Sequence, residues 1–512
     1  MTATDDTSHQ NQLQVFGQRR VGRRTALLGG LGLLGYVGLG GMSSMRAHAA
    51  PSSIPSDPSV GQQVPFPFTG LKHGLVVTDL EVVTVTATSV VLCWATYDGP
   101  HPAWGTVAPL APADTEVAFG PVGLPASDLP VVHKDNEPRN FHIVTVDGLE
   151  PETTYRFECR SGGVVARPGL ITTNAPQSPE QTGTVTTLPA PVGQHLGTVV
   201  LLNDTHIGEG RHGIIVNNFP PPIEQEAGRA PYPELMLASA LQEIKSRGLG
   251  PVFVNGDATS EARPHEVRKF IEIMNSVGEW GHDWFVTRGN HDRPHTPEAD
   301  PQAGYEEFPV LEGTENHRDP FGSLLVKRQE HWVTQVGEIR VIGIDSTKLD
   351  ESGGEISAEQ LDAVEAELMA DPLRPTFIMA HHPVSEEAAF SNVAGPSFTL
   401  NLHDSARLQR AIAQAPGVFL VAAGHTHRAK RTSGRVASDV TFVETPAAKA
   451  YPGGYTLVHV YSGGYQVNFH RIMNEQALEW ASRARWAVWG LEPEPLLGTV
   501  QDRNFSVQRR IS

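Results

Sequence analysis

Cysteine is nearly missing from this chain: Cys93 and Cys159 are the only two among 512 residues. Thiolate zinc sites and disulfide frameworks are thereby excluded as its organising principle. Any metal must be held through nitrogen and oxygen, for which 22 histidines are available. Positive charge is also scarce, 39 Lys and Arg against 57 Asp and Glu, for a formal net charge of −18. Such a surface repels a phosphate backbone and argues against a reader of DNA or RNA, although bound metal ions can reverse the sign of a site locally. Beyond residue 49 no stretch is apolar enough to span a membrane, and no internal repeat is visible.

Glycine (50) and proline (40) are plentiful, which favours turn-rich β or α/β architecture over helical bundles. The hydrophobic share of 39% is enough to bury a core, and the length predicts two or three folded units.

Residues 1–49 have the order of an export signal. A polar stretch precedes Arg23-Arg24, an apolar, glycine-rich run reaches about Gly41, and Ala47-His48-Ala49 fits a small-residue cleavage site. The paired arginines resemble a twin-arginine signal, with Arg19-Arg20 as a second candidate pair. A membrane anchor is the other reading, but the apolar run is shorter than the ~20 residues of a spanning helix. The expectation is a mature protein without a transmembrane helix, secreted, periplasmic or cell-wall associated, its metals loaded before export.

Residues 50–70, rich in Pro, Ser and Gln, read as a linker. Residues 71–175 alternate apolar and polar side chains in short strands, as in Ser89–Thr96, where Leu92 and Trp94 share a face. A Trp in an early strand, with Leu149-Glu150-Pro151-Glu152-Thr153-Thr154-Tyr155 further on, resembles a fibronectin type III domain. That resemblance implies an all-β sandwich in which Tyr155 makes a corner hydrogen bond. Strand parity turns Cys93 outward and Cys159 inward, which predicts two free thiols. Residues 176–196 read as a second linker, residues 197–473 as an α/β domain, and residues 474–512 as a tail of no readable role. Predicted strands are 198–203, 251–255, 284–288, 338–344, 376–380 and 418–422; predicted helices are 234–247, 357–370 and 404–414; a hairpin closes the domain at 455–472.

The residues immediately after these strands carry the chemistry. The first strand runs into Asp204-Thr205-His206, the second into Gly256-Asp257 and the third into Gly289-Asn290-His291-Asp292. The fifth ends at His381-His382-Pro383 and the sixth at Gly424-His425-Thr426-His427. In open α/β sheets ligands bind at the carboxyl ends of strands, so five strands deliver Asp, Asn and His to one edge. These donors suit Zn, Mn or Fe.

In this order the motifs resemble the calcineurin-like metallophosphoesterases, over roughly residues 197–462. The resemblance implies a four-layer α/β/β/α sandwich behind the N-terminal one, and a centre of two divalent or trivalent ions. Asp204, His206 and His427 would hold the first ion, and Asn290, His381 and His425 the second. Asp257 would bridge them, and His291 would serve as a donor beside the phosphoryl group. Asp292 and His382 would orient neighbours. The substrate would be a small phosphate ester hydrolysed by activated water. An N-terminal sandwich also precedes the catalytic domain of purple acid phosphatases. Those enzymes, however, read Asp-x-Gly in the first motif and place a Tyr after Gly-Asp, where this chain has His206 and Ala258-Thr259-Ser260. The Asp-x-His form is nearer the cyclic-nucleotide and glycerophosphodiester phosphodiesterase branch. That favours diesters, with monoesters possible as well.

Alternatives are a purple-acid-phosphatase-like monoesterase and an inactive binding protein on the same scaffold. The sandwich is either a spacer or a contact to a cell wall or surface partner. Arg428, with Lys430, Arg431 and Arg435, either steers an anionic substrate or lies in a solvated loop paired with acids. His212 and His295, close after motifs, either reach a substrate or are solvated, and residues 293–320 are either a cap or a disordered insertion.

Overall fold

The computed structural model describes residues 74–99, 109–169, 177–214, 219–490 and 496–511. The expected export signal and first linker lie outside the described residues.

The N-terminal unit is a pair of facing antiparallel sheets. One holds β1 (Leu75–Val85), β2 (Ser89–Asp98) and β5 (Phe141–Asp147). The other holds β3 (Ala113–Pro121), β4 (Val131–Arg139), β6 (Thr154–Ser161), β7 (Val164–Val165) and β8 (Thr184–Thr186). Leu92 and Trp94 point into the shared core with Phe119, Phe157 and Cys159. The indole N–H of Trp94 donates to Ser161 Oγ at 2.9 Å, the partner a buried tryptophan needs. The Tyr155 hydroxyl accepts the Glu150 backbone N–H at 2.9 Å and pins the turn before β6. Cys93 lies on the opposite face of β2, against Val83, Val91 and Phe469 of the second domain, so both thiols are buried and free. Residues 176–196 do more than link: β8 pairs with β6, and the buried carboxylate of Glu180 accepts the Val82 N–H at 2.9 Å.

The second unit stacks two six-stranded sheets. The first runs β13 (Trp284–Thr287), β12 (Val252–Asn255), β9 (His195–Leu202), β20 (Gly454–Tyr461), β21 (Gly464–Arg471), β22 (Asn504–Gln508). The second runs β14 (His331–Val336), β15 (Ile339–Ile344), β16 (Thr376–Ala380), β17 (Val418–Ala423), β19 (Thr441–Glu444), β18 (Lys430–Ser433). Their inner faces meet through Val199, Leu201 and Phe253 on one side and Val341, Phe377 and Phe419 on the other. Helices Tyr232–Ser246, Pro264–Met274 and Glu475–Ala484 cover the first sheet, and Ala358–Ala370 and Leu402–Ala413 the second, giving α/β/β/α layering. Caps set the helix starts. Ser357 accepts from the Gln360 N–H, and Asn401 from the Asp404 N–H, which begins that helix two residues before the expected 404.

The tail, whose role the sequence left unreadable, packs on the second unit: β22 pairs with β21 and buries Phe505, while Trp480 enters the core. The helix Pro264–Met274 is additional to the three expected, although Pro264 at its start and Glu266 folding back onto the Arg263 N–H mark its first turn.

The tail and hairpin also clamp β1. Glu81, fully buried, meets Arg471, Arg485 (3.2 Å) and the Tyr451 hydroxyl (2.8 Å), and Asp79 pairs with Arg485. Arg503 donates to Val82 O at 2.7 Å, Asn504 to Val83 O at 2.9 Å and Asn468 to Val85 O at 2.6 Å.

Candidate metal centre

The parallel strands β9, β12 and β13 of one sheet and β15, β16 and β17 of the other end at a common rim. The loops leaving that rim turn unusually sharply. Asp204 (φ 52°), His206 (46°), Asp257 (48°), His425 (66°) and His427 (56°) all occupy the left-handed region. Each such residue costs roughly 1–2 kcal/mol, and such strain persists only where surroundings over-determine it. Two glycines show how tight the surroundings are. A Cβ on Gly289 would collide with the backbone N and Oδ1 of Asp257, and one on Gly424 would sit 2.7 Å from Asp204 Oδ2.

The result is two overlapping donor groups. Asp204, His206, Asp257 and His427 offer ligand atoms that all lie within 4.8 Å of one another, and so do Asp257, His381 and His425. Asp257 belongs to both. Within the first group His427 Nε2 is 3.2 Å from Asp204 Oδ1, and His206 Nε2 is 3.5 Å from Asp257 Oδ2. In the second, His381 Nε2 is 3.3 Å from Asp257 Oδ2 and 3.2 Å from Asn290 Oδ1, which brings Asn290 into the set. His381 Nδ1–H donates to Asn255 O at 2.9 Å, so Nε2 is the atom left for a ligand's role.

The donor set fits a pair of cations. Both ring nitrogens of His206 and Nε2 of His425 are buried without a hydrogen-bond partner, a state that a protein seldom tolerates without an ion or water. Burial, with Lys449 adding to it for His206, holds both imidazoles well below their usual pKa, in the neutral form that binds metal. Burial alone would raise the Asp257 carboxyl, but His381 and His291 outweigh it and keep it ionised. In return Asp257 overrides burial at His381 and lifts it to about 9, so a proton waits where a cation would displace it.

His291 stands over the first group, its ring 4.7 Å from that of His206. Its backbone N–H donates to Asp257 Oδ1 at 2.9 Å, and its Nδ1–H donates to Ser260 O at 2.7 Å. Asp292 accepts from the N–H groups of Ala258, Thr259 and Gly289 and from the Thr259 hydroxyl, at 2.7–3.0 Å, and ties the two loops together.

Residues 197–429 match the calcineurin-like phosphoesterase family. Those residues form a calcineurin-like phosphoesterase domain. The domain's class of activity is metal-dependent hydrolysis of phosphate esters. No curated protein matches the sequence. Among solved structures, a dimetal phosphatase from Danio rerio is 12% identical, over 55% of this chain and 98% of that one, with a TM-score of 0.40. A purple acid phosphatase from yellow lupin seeds is 13% identical over 86% and 75%, with a TM-score of 0.38. PhoD is 14% identical over 76% and 85%, with a TM-score of 0.34.

Around the phosphoesterase centre, two expected substrate residues are otherwise engaged. Arg428 spends its guanidinium on Glu444, with two contacts at 2.8 Å, and on Ser391 O at 2.9 Å, bracing the helix Glu386–Ser391 against β19. His212 sits in the short pair β10 (Arg211–His212) and β11 (Ile223–Glu224), buried behind His206 among Glu209, Tyr232 and Trp480. His382 turns away from the donor atoms: its Nδ1 accepts from the Ser346 hydroxyl at 2.9 Å and its Nε2–H donates to Ser352 O. His295 lies 3.5 Å from Glu261 in the segment after His291.

Other residues had no motif to announce them. Buried Arg288 grips Asp319 through two contacts at 2.9 Å and also Val326 O, anchoring the Gly-Asn-His-Asp loop and the segment after it. Phe398 stacks on the His425 ring with centroids 3.8 Å apart. Among the described residues no helix is long and apolar enough to cross a membrane.

Proposed function

We propose that this protein is an exported phosphodiesterase with a dinuclear metal centre, able to act on monoesters as well. The observation that carries the reading is the sharing of buried Asp257 between two donor groups. Asp204, His206 and His427 would hold one ion and Asn290, His381 and His425 the other, with Asp257 offered to both. When bound, such ions would supply positive charge for the phosphoryl oxygens and acidify a water, with a pKa lowered towards about 7.

The protein's own groups do the rest. Ser260 O can only accept, so it fixes the His291 proton on Nδ1. Nε2 is then the atom that offers a hydrogen bond or proton to the leaving oxygen, and it carries that proton in the cationic ring. Asp292 keeps the Asp257 and His291 loops in register through its four donors.

The diester preference rests on Asp204-Thr205-His206 in the first motif and on the absence of a Tyr after Asp257. Ala258 and Thr259 fill that position, and the Thr259 hydroxyl is committed to Asp292. A fibronectin type III-like N-terminal domain is supported by the buried Trp94 and the Tyr155 bond to the turn before β6. Twin-arginine export is supported by Arg23-Arg24 ahead of the apolar run.

The test is turnover of bis(p-nitrophenyl) phosphate and p-nitrophenyl phosphate by metal-stripped protein, with and without added Mn or Zn. Metal-dependent turnover of the diester, faster than of the monoester, is expected. Faster monoester turnover would favour a phosphatase, and turnover indifferent to metal would end the proposal.

A further inference from the structure

His206 presents one nitrogen to the donor cluster and the other to a wall that belongs to none of the five motifs. Its Nε2 faces Asp257, while Nδ1 is buried without a hydrogen-bond partner, 3.5 Å from Glu209 Oε2. Glu209 reaches this position because its own backbone N–H donates to His206 O at 3.0 Å, closing a tight turn after the motif. Its carboxylate is gripped from behind by Lys449 Nζ and the Tyr232 hydroxyl, with His212 Nδ1 at 3.5 Å. That backing is itself fixed. Lys449 is buried and its carbonyl accepts the Trp480 indole N–H at 3.0 Å, while the Trp480 ring stacks on Tyr232 at 4.0 Å. A buried Glu–Lys pair is a poor source of stability, since desolvating both charges offsets their attraction. Its placement behind a ligand atom is what the pair offers: a carboxylate on the second nitrogen of a metal-bound histidine fixes its tautomer and raises its basicity.

We infer that Glu209 is a positioning residue for His206, taking the Nδ1–H so that Nε2 meets the first ion unprotonated, with Lys449 and Tyr232 holding the carboxylate in place. The inference rests on the assignment of His206 as a ligand.

The experiment is calorimetric titration of Mn²⁺ into the metal-free full chain. The wild type binds two ions. Glu209→Gln keeps the shape and binds one of the two about 10–100-fold more weakly, with the other unchanged. At saturating Mn²⁺ its kcat recovers and its KM for the diester stays at the wild-type value, which damage to the fold would not produce. Because Glu209→Gln strands Lys449, Glu209→Gln/Lys449→Met removes both buried charges, and it shows the same single-ion deficit. Either folded variant binding both ions as the wild type does overturns the inference. A wild type that binds no Mn²⁺ overturns the ligand assignment instead, so the two failures are told apart.

Discussion

The join between the two units yields a prediction whose size can be worked out. Glu81, Asp79, Arg471 and Arg485 form a buried, neutral group of four charges between β1 and the second domain. Glu81→Gln leaves the Tyr451 contact available but gives the group one net positive charge with no water to screen it. At the 3.2 Å separation of Glu81 and Arg485, and an effective dielectric of about 20, the lost attraction is about 5 kcal/mol before desolvation. Breaking one partner out of a buried ionic group typically costs about 3–5 kcal/mol, a large part of the ~5–15 kcal/mol that holds a domain folded. Urea denaturation with native-state hydrogen exchange checks it. Wild-type amides of β1 and β2 should open with the same free energy as those of β20 and β21. In Glu81→Gln the sandwich amides should open first, at a free energy lower by about 3–5 kcal/mol. A change below about 1 kcal/mol would refute the reasoning, because that is the size of a solvated surface pair.

Asp257→Asn should lose both ions by elemental analysis and turnover to background; full metal content with wild-type activity would contradict its bridging place. His291→Ala should keep both ions yet lose about 10²–10⁴-fold in kcat, the usual worth of a positioned proton donor; an unchanged kcat would remove it from the reaction. Cys93 and Cys159 should react with a thiol reagent only after denaturation, as both are buried and burial raises both thiols; finding no thiols would mean a disulfide. His142, buried beside Trp94 with ring centroids 5.0 Å apart, is held down to about 4 by burial. Its folded pKa is depressed, so its contribution is complete above pH 6.5 and is lost as pH falls towards 4, on the order of 3 kcal/mol. The urea midpoint of metal-free protein should therefore fall across that window less steeply in His142→Gln; equal slopes would count against it.

The parts visible in sequence are those whose cause is local. The buried strands of the two sheets read as continuous apolar runs, and 376–380 matches β16 at both ends because Thr376–Ala380 is apolar throughout its centre and stops at His381. The candidate donors are legible because they lie just past five strand ends. Edge strands β14, β18 and β22 were not: they are short or mixed in polarity, and pairing with β15, β19 and β21 decides them. Arg428 shows the limit for charge. The basic cluster is plain in the sequence, but Glu444, which pairs with Arg428, is identified only once β19 lies beside it. Glu209 and Lys449 stand 240 residues apart and share no pattern that could reveal the pair.

The most direct test of the central claim is anomalous X-ray scattering from a crystal of the full chain grown with Mn²⁺. Two peaks flanking the Asp257 carboxylate are predicted, one bounded by Asp204, His206 and His427, the other by Asn290, His381 and His425. A single peak, or manganese elsewhere with these side chains empty, would contradict it.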